Sequence, residues 1–497
     1  MPETKPNILL IMADQMRYDC VGANGNPWIS TPYLDRLATE SANLQSCFVQ
    51  APVCVPSRQS IFTGRYPHSH RNRVNYTRLK SDETLMQQLL QNAGYTTAFV
   101  GKLHYWPPTR DFACSTGFDH GLLHDAAMLD DYSDYVEWLK SNAPEYASDY
   151  RRCESAPGRN PFTAALPVEY HETTWCGNET RRMLRRFAEQ REEGRSNQPF
   201  FLFSSYWKPH SPYEICEPWA SLYEDVQIPL PDRPNREMID TLPLPLRKLI
   251  FRESPPAFEI AEERLQWIYR SYYGAVSQID DEVGRTLELL ENLGLADDTV
   301  VIFLSDHGDL LGEHAIMEKN AFYESAIRVP LLMRYPPSVR AGVYPDLVES
   351  IDILSTLFEI CGIPVPPATQ GRSFAPLIST DDSTQSDYRA RRFVVSENVM
   401  PEVITSGSLN FAYKPGLGIA GIRHPDAKMI RTNRLKYVHY VGHGDELYDL
   451  HLDPGETTNL ANDPCYRTIV SEMKADLLDW MITSDEVDQI AEHWFTT

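Results

Sequence analysis

A chain of 497 residues exceeds what one hydrophobic core usually serves and suggests two or three structural units, one large and one small. With 69 acidic against 46 basic residues the formal net charge is −23, which opposes nonspecific attraction to nucleic acid or an anionic membrane, so any anion site must be a local concentration of positive groups. Nine cysteines, an odd number with no Cys-x-x-Cys pair, argue against a small disulfide scaffold and predict mostly buried thiols in a reducing compartment.

The N-terminus enters an apolar run, Ile8 to Ala13, too short for a secretory signal and lacking a small-residue cleavage site. No stretch reaches membrane-spanning length, so a cytoplasmic location is expected, and the sequons at Asn75 and Asn178 are read as chance. Ile8 to Ala13 shows no period-two alternation and stops at Asp14, the pattern of a strand buried on both faces with a polar residue at its carboxyl end. Three later runs behave alike. Thr96 to Val100 leads into Gly101-Lys102-Leu103-His104, Phe200 to Phe203 leads through Ser204-Ser205-Tyr206 into Trp207-Lys208-Pro209-His210, and Val300 to Leu304 leads into Ser305-Asp306-His307-Gly308-Asp309. Leu85, Leu89 and Leu90 mark a helix before the second run, and Leu265, Ile268, Tyr272, Val276, Ile279, Val283 and Leu290 a long amphipathic helix before the fourth. The alternation predicts an α/β fold with a large, mainly parallel sheet sandwiched by helices, and ligands bind such sheets beyond the carboxyl ends of the strands. The proline-rich interval from Pro229 to Pro256 reads as a long surface connection, and the polar stretch 371–390 as a boundary. Beyond it, Lys428 to Thr432 and Leu435 to Tyr440 predict a hairpin, and Ile469 to Met481 a helix. The expected division is a catalytic unit over 1–375 and a smaller antiparallel sheet with a helix over 376–497.

Cys54-Val55-Pro56-Ser57-Arg58 is a Cys-x-Pro-x-Arg pentapeptide, the pattern at which a maturation enzyme oxidises cysteine to formylglycine. Alone it is a weak signal, because a lone cysteine is more often an ordinary packed residue. Its surroundings strengthen it: Gln59 to Pro67 downstream, Asn7 to Asp14 and Gln15-Met16-Arg17 upstream, and Gly101 to His104, Ser305 to Lys319 and Glu446 to Leu460 further on. Together these segments resemble the type I, formylglycine-dependent sulfatases of the alkaline phosphatase superfamily, near the arylsulfatase, choline-sulfatase and phosphonate monoester hydrolase branch. The resemblance runs from Pro6 to Pro464 and implies an alkaline-phosphatase-like fold.

It also implies a site. Asp14, Gln15, Asp306 and His307, with an oxygen of modified residue 54, are the expected ligands of one divalent ion, and an oxygen-rich set with one imidazole suits Ca²⁺ or Mn²⁺. Gln15 stands where most of the family carries a second acid and His307 where most carries asparagine, departures shared with the phosphonate monoester branch. A serine or cysteine nucleophile would be left holding a sulfate that water removes slowly. An aldehyde hydrate avoids this: one hydroxyl attacks sulfur, and the other, once deprotonated, expels sulfate by breaking the carbon–oxygen bond and regenerating the aldehyde. Arg58, four residues on, shares a face with Cys54 if a helix begins there and would steady the diol and the metal-bound oxygens. By resemblance Lys102 contacts the diol or sulfate, His104 takes the proton that permits sulfate release, His210 approaches the leaving-group oxygen with Lys319 beside it, and Asn75 touches substrate. Glu446 to Leu450, Asp453 to Glu456 and Asn459-Leu460 match the family's late structural signature.

The leading expectation is a sulfuric ester hydrolase acting on a small sulfate ester, promiscuous toward phosphonate monoesters and phosphodiesters and matured by a formylglycine-generating enzyme. A phosphonate monoester hydrolase or phosphodiesterase on the same scaffold is the alternative. A third reading, of another class, is a non-catalytic metal- and anion-binding protein with Cys54 unmodified. Segments between Ala113 and Glu172, including Asp130, Asp131 and Trp138, and between Glu214 and Glu259 are expected to shape the pocket. Ile490, Trp494 and Phe495 in the C-terminal tail suggest docking onto a second subunit in a homo-oligomer.

Overall fold

The computed structural model describes residues 5–75, 77–125, 132–156, 158–252, 255–399 and 426–484. The first apolar run forms strand β1 (Asn7–Asp14), buried along its whole length. Its side chains alternate between two cores, with Ile8, Leu10 and Met12 in one and Leu9, Ile11 and Ala13 in the other. Both faces are covered, which is why the run shows no polar alternation.

Eight further strands complete this sheet: β2 (Ala42–Phe48), β3 (Thr96–Gly101), β4 (His120–Leu123), β5 (Phe200–Pro209), β6 (Thr299–Ser305), β7 (Arg328–Val329), β8 (Leu331–Arg334) and β9 (Gly342–Glu349). Their order is β4-β3-β5-β1-β6-β8-β2, with β7 and β9 also pairing with β2. The first five in that order are mutually parallel, while β8 runs antiparallel to both β6 and β2. Helices α1 (Pro32–Glu40), α2 (Cys54–Thr63), α3 (Glu172–Glu192), α4 (Glu262–Asn292) and α5 (Asp352–Cys361) cover it. Leu34, Leu184 and Tyr272 of α1, α3 and α4 pack on the Leu9 side, and Phe62 and Leu357 of α2 and α5 on the Leu10 side.

A second, four-stranded antiparallel sheet comprises β10 (Val394–Val399), β11 (Asp426–Arg431), β12 (Leu435–Tyr440) and β13 (Gly444–Asp449). Its Val395, Ile430, Tyr437 and Leu447 pack against Met473, Leu477 and Trp480 of α6 (Arg467–Ser484). From the opposite face Val394, Met429, Val438 and Tyr448 join the core on the Leu10 side of the large sheet. The architecture is therefore α/β, a mainly parallel sheet between helices with a smaller antiparallel sheet and helix.

Two readings change. The interval from Pro229 to Pro256 is more than a surface connection: helices Arg236–Thr241 and Leu244–Ile250 bury Ile239, Leu246, Leu249 and Ile250 in the core. Strand β5 continues through Ser204 to Pro209, all buried, so its polar tail belongs to the sheet. All nine cysteines are unbonded, and six of them, Cys20, Cys47, Cys54, Cys176, Cys216 and Cys361, are buried. Among the described residues no helix is long and apolar enough to cross a membrane. Asp130, Asp131 and the tail residues Ile490, Trp494 and Phe495 lie outside the described residues.

Helix α1 takes its cap from α4. Thr31 makes no side-chain cap, and Asp280 accepts instead from the amides of Leu34 (2.7 Å) and Tyr33 (3.3 Å). Burial pushes the Asp280 carboxyl up to about 7, against the pull of those two amides. Between an ordinary aspartate pKa and that value the folded chain keeps a proton that the unfolded chain has lost, so this group's contribution to stability falls as pH rises across about 4 to 7. Asp280→Asn keeps the Leu34 acceptor and removes the titration. Its melting temperature, measured across that window, should depend less steeply on pH than that of the wild type.

Candidate active site

The site is assembled where β1, β3, β5 and β6 end. Ser305 Oγ lies 2.8 Å from the carbonyl of Ala13 and accepts from the amide of Met16 at 2.8 Å, which stitches the end of β6 to the end of β1. Gln15 follows with left-handed backbone (φ 68°), fixed by Tyr272, whose hydroxyl donates to its carbonyl at 2.6 Å. Two glycines permit the close approaches. A Cβ on Gly101 (φ 97°) would lie 2.0 Å from the Ser205 carbonyl oxygen, and one on Gly308 would lie 1.9 Å from that of Ser325.

Helix α2 begins at Cys54 and is buried at every position. Arg58, one turn on, therefore faces as the four-residue spacing requires. Its Nε donates to Asp306 Oδ2 (2.7 Å), Nη2 to Asp14 Oδ2 (3.1 Å), and Nη1 to the Lys102 carbonyl (2.8 Å) and Ser205 Oγ (3.0 Å). One guanidinium thus ties together the ends of β1, β3 and β6 and the middle of β5.

Around it, ligand atoms of Asp14, Cys54, Asp306 and His307 lie within 4.8 Å of one another, all buried. His307 Nδ1 donates to the carbonyl of Gly308 (2.9 Å), which turns Nε2 toward Cys54 Sγ at 3.0 Å. Lys102 pairs with Asp14 Oδ2 at 2.7 Å and lies 3.9 Å from the ring centre of Trp207. Burial opposes the charge on Asp14, but Lys102, His210, Arg58 and His307 hold its carboxyl well below the usual range. Burial and Asp14 raise the Cys54 thiol, and Lys319, His307 and Lys102 outweigh them, leaving it below its ordinary value.

The remaining expected residues fall in three places. Lys319 Nζ donates to Gln15 Oε1 (2.5 Å) and meets His210 Nε2 at 2.7 Å, while His210 Nδ1 donates to the Ser211 carbonyl (2.6 Å). The His210 tautomer is therefore Nδ1–H, with Nε2 accepting from the ammonium. His104 has left-handed backbone (φ 61°), and its amide donates to Asp125 Oδ2 at 2.7 Å. Burial first, then Lys102, Arg58 and Lys319, hold its imidazole well below its ordinary pKa against the pull of Asp14. Asn75 Oδ1 accepts from the amide of Val55 (3.1 Å), so that end of its side chain is committed to the start of α2.

Sequence reasoning missed Asp309 and Asp125. Asp309 Oδ2 accepts from Gln15 Nε2 at 2.6 Å, and burial pushes its carboxyl up to about 6. It stands two residues past His307 in a block already singled out. Asp125 behind His104 carries no local signal at all.

The sulfatase family model matches residues 6–363. The arylsulfatase of Clostridium perfringens is 30% identical over 95% of this chain and 94% of its own length. The chain belongs to the sulfatase family. This sulfatase is also 27% identical to the multifunctional alkaline phosphatase superfamily protein of Trinickia caryophylli, over 99% of this chain and 98% of that one. Among solved structures, the phosphonate monoester hydrolase from Silicibacter pomeroyi matches with a TM-score of 0.81 at 25% identity, covering 97% of this chain and 96% of its own. The protein is an enzyme of sulfate ester hydrolysis.

Because Arg58 answers two buried carboxylates, replacing it leaves charge unpaired in the interior. Arg58→Met in this sulfatase should cost about 3–5 kcal/mol in urea unfolding. A loss below about 1 kcal/mol, the scale of an exposed pair, would show that the guanidinium does not carry these charges.

Proposed function

We propose that the enzyme cleaves sulfate monoesters at residue 54 after Cys54 has been oxidised to formylglycine, with one divalent ion, Ca²⁺ or Mn²⁺, held by Asp14, Gln15, Asp306, His307 and an oxygen of residue 54. The donor set fits such an ion: two carboxylates, an imidazole whose Nε2 faces the cluster, and position 54 converge within 4.8 Å. When present, the ion neutralises charge on the transferring group, and the oxidised residue provides the paired hydroxyls that attack sulfur and then expel sulfate.

The rest falls to the side chains. Lys102, held by Asp14 and Trp207, offers its ammonium to the sulfate oxygens. His104, kept neutral by burial and neighbouring cations, is competent to take the hydroxyl proton before sulfate leaves. Lys319 donates to the departing oxygen, and His210, its lone pair turned to that ammonium and its Nδ1–H fixed on Ser211, sets the lysine's direction. Burial disfavours the Lys319 charge, yet Cys54 in the unmodified chain, then Glu318, Asp14 and Asp306, favour the ammonium, and the three carboxylates remain once residue 54 is oxidised. An alkoxide is more basic than an amine, so the proton moves downhill once the sulfur–oxygen bond breaks. A formylglycine-generating enzyme in maturation and a homo-oligomer belong to the same proposal.

The Lys102 and His104 pair carries the sulfatase reading. Gln15, His307 and the fold likeness to a phosphonate monoester hydrolase favour the phosphonate monoester or phosphodiester alternative. Comparing kcat/KM for a sulfate monoester, a phosphonate monoester and a phosphodiester with one leaving group decides between them. The sulfate ester should be fastest, and a preference for either phosphorus substrate reverses the assignment. Mass spectrometry of the peptide containing residue 54 should show the aldehyde, and Cys54→Ala should fold without appreciable turnover. An intact thiol in every molecule of fully active enzyme would exclude this chemistry.

Asp309 gives a second test, independent of turnover. By anchoring Gln15 Nε2 it fixes which end of the amide faces the site. Asp309→Asn should weaken divalent-ion binding about 10–100-fold in calorimetric titration.

A further inference from the structure

Lys319 is held differently from the other site residues. Instead of following a strand directly, it lies in the irregular segment between β6 and β7, flanked by left-handed backbone at Glu318 (φ 64°) and Asn320 (φ 81°). Such a segment keeps a side chain in register only if its backbone is tied down from outside.

The ties come mainly from the C-terminal sheet. The amide of Asn320 donates to the carbonyl of Pro52, just ahead of Cys54 (3.2 Å), and its carbonyl accepts from Asn398 Nδ2 of β10 (2.8 Å). The carbonyl of Phe322 accepts from Lys436 Nζ of β12 at 2.9 Å. Tyr323 reaches Glu446 Oε1 at 3.4 Å, a carboxylate also held by Tyr440 and Tyr448. The amide of Glu324 donates to Glu456 Oε2 at 2.7 Å. Lys436, with no exposed surface, completes the grip through Glu324 Oε1 (2.8 Å) and Glu456 Oε1 (2.7 Å). An ammonium has three protons, and these three partners account for all of them. Two partners lie on the Lys319 segment, and the third holds that segment's own backbone. A buried ion cluster is a poor way to gain stability alone, because apolar packing of the same volume serves as well or better. It is a good way to fix one backbone at one height.

We propose that the C-terminal sheet is the positioning scaffold for Lys319, with Lys436 and Asn398 as positioning residues for leaving-group departure. This rests on Lys319 being the donor to the departing oxygen. If it is, loss of the scaffold should matter little for a good leaving group and much for a poor one, a selectivity that general loss of structure would not produce.

The test uses full-length, matured enzyme with 4-nitrophenyl sulfate and an alkyl ester, 2-phenylethyl sulfate, whose alkoxide is more basic than the lysine amine. Lys319→Ala is the reference and should lose about 100-fold more kcat/KM on the alkyl than on the 4-nitrophenyl ester, within the usual range for a general acid. Lys436→Met and Asn398→Ala should each lose about tenfold more on the alkyl ester, as expected for a donor displaced by a fraction of an ångström. Equal losses on the two esters, or none, while Lys319→Ala still discriminates, overturns the scaffold role. If Lys319→Ala does not discriminate, the donor reading itself fails, and the positioning proposal falls with it. Should Lys436→Met not accumulate as folded protein, Asn398→Ala, which strands no buried charge, decides the matter by the same comparison.

Discussion

The Arg58 guanidinium between Asp14 and Asp306 is the constraint on which the site depends. These three side chains have no solvent exposure, and the desolvation of each would be prohibitive if any one lacked its partners. Two carboxylates are needed if an ion is to be held there. They can be brought together beforehand because a cation arrives between them from a helix that begins at Cys54, with Lys102 beside Asp14 as a second. The same guanidinium reaches the Lys102 carbonyl and Ser205, so residue 54, the candidate ion ligands and Lys102 are placed by one group. The local charge balance follows from it. Arg58, Lys102 and Lys319 stand against Asp14 and Asp306, so a chain of formal net charge −23 still presents an anion site at its centre.

What the sequence disclosed has a physical pattern. The four apolar runs were legible because strands covered on both faces have no polar positions, and the chemistry appears where burial of both faces stops. Arg58 was legible because four residues is one helical turn. Strands β2, β8 and β9 were not singled out, since Leu331 to Arg334 and Ala42 to Phe48 are short and mixed, and their pairing is set by distant partners. The helices within 229–256 were masked by prolines, although Pro245 sits in the first turn of its helix, where a missing N–H costs nothing. Asp309 and Asp125 act on Gln15 and His104 across the fold, and a residue whose function is to hold another has no signature in its own neighbourhood. Likewise the sequence set Lys319 beside His210. Only the Ser211 carbonyl on Nδ1 reveals which of the two is donor and which acceptor.

The two sheets divide the task along physical lines. Strand ends of a parallel sheet are rigid and carry the groups proposed to hold a cation, where small displacements are punished by electrostatics in a medium of low dielectric. A leaving group varies from one ester to another, and Lys319, the donor proposed for it, stands on an irregular segment outside that sheet. A segment without ladder hydrogen bonds needs external anchors, and β10 and β12 provide them through Asn398 and Lys436. The late signature from Glu446 to Glu456 then has a physical task in this fold: it furnishes the carboxylates of that anchor.

Charge alone cannot separate the two candidate substrate classes. A sulfate monoester and a phosphonate monoester each carry one negative charge, so Arg58, Lys102 and Lys319 attract them alike. The difference is in what replaces an oxygen. Sulfate presents three acceptor oxygens around sulfur, whereas a phosphonate monoester presents two and a carbon substituent. In a site where Lys102 is held between Asp14 and the Trp207 ring, an ammonium aimed at the transferring group cannot turn away to find another acceptor. A carbon in that place leaves a buried donor short of a partner, a penalty of about 1–3 kcal/mol or more for a charged group. Sites built to hydrogen-bond a substrate reject the analogue that lacks the acceptor far more strongly than apolar pockets reject a methylene. If Lys102 contacts the transferring group as proposed, a preference for sulfate follows from its immobility, and promiscuity toward phosphorus esters from the charge that the two classes share.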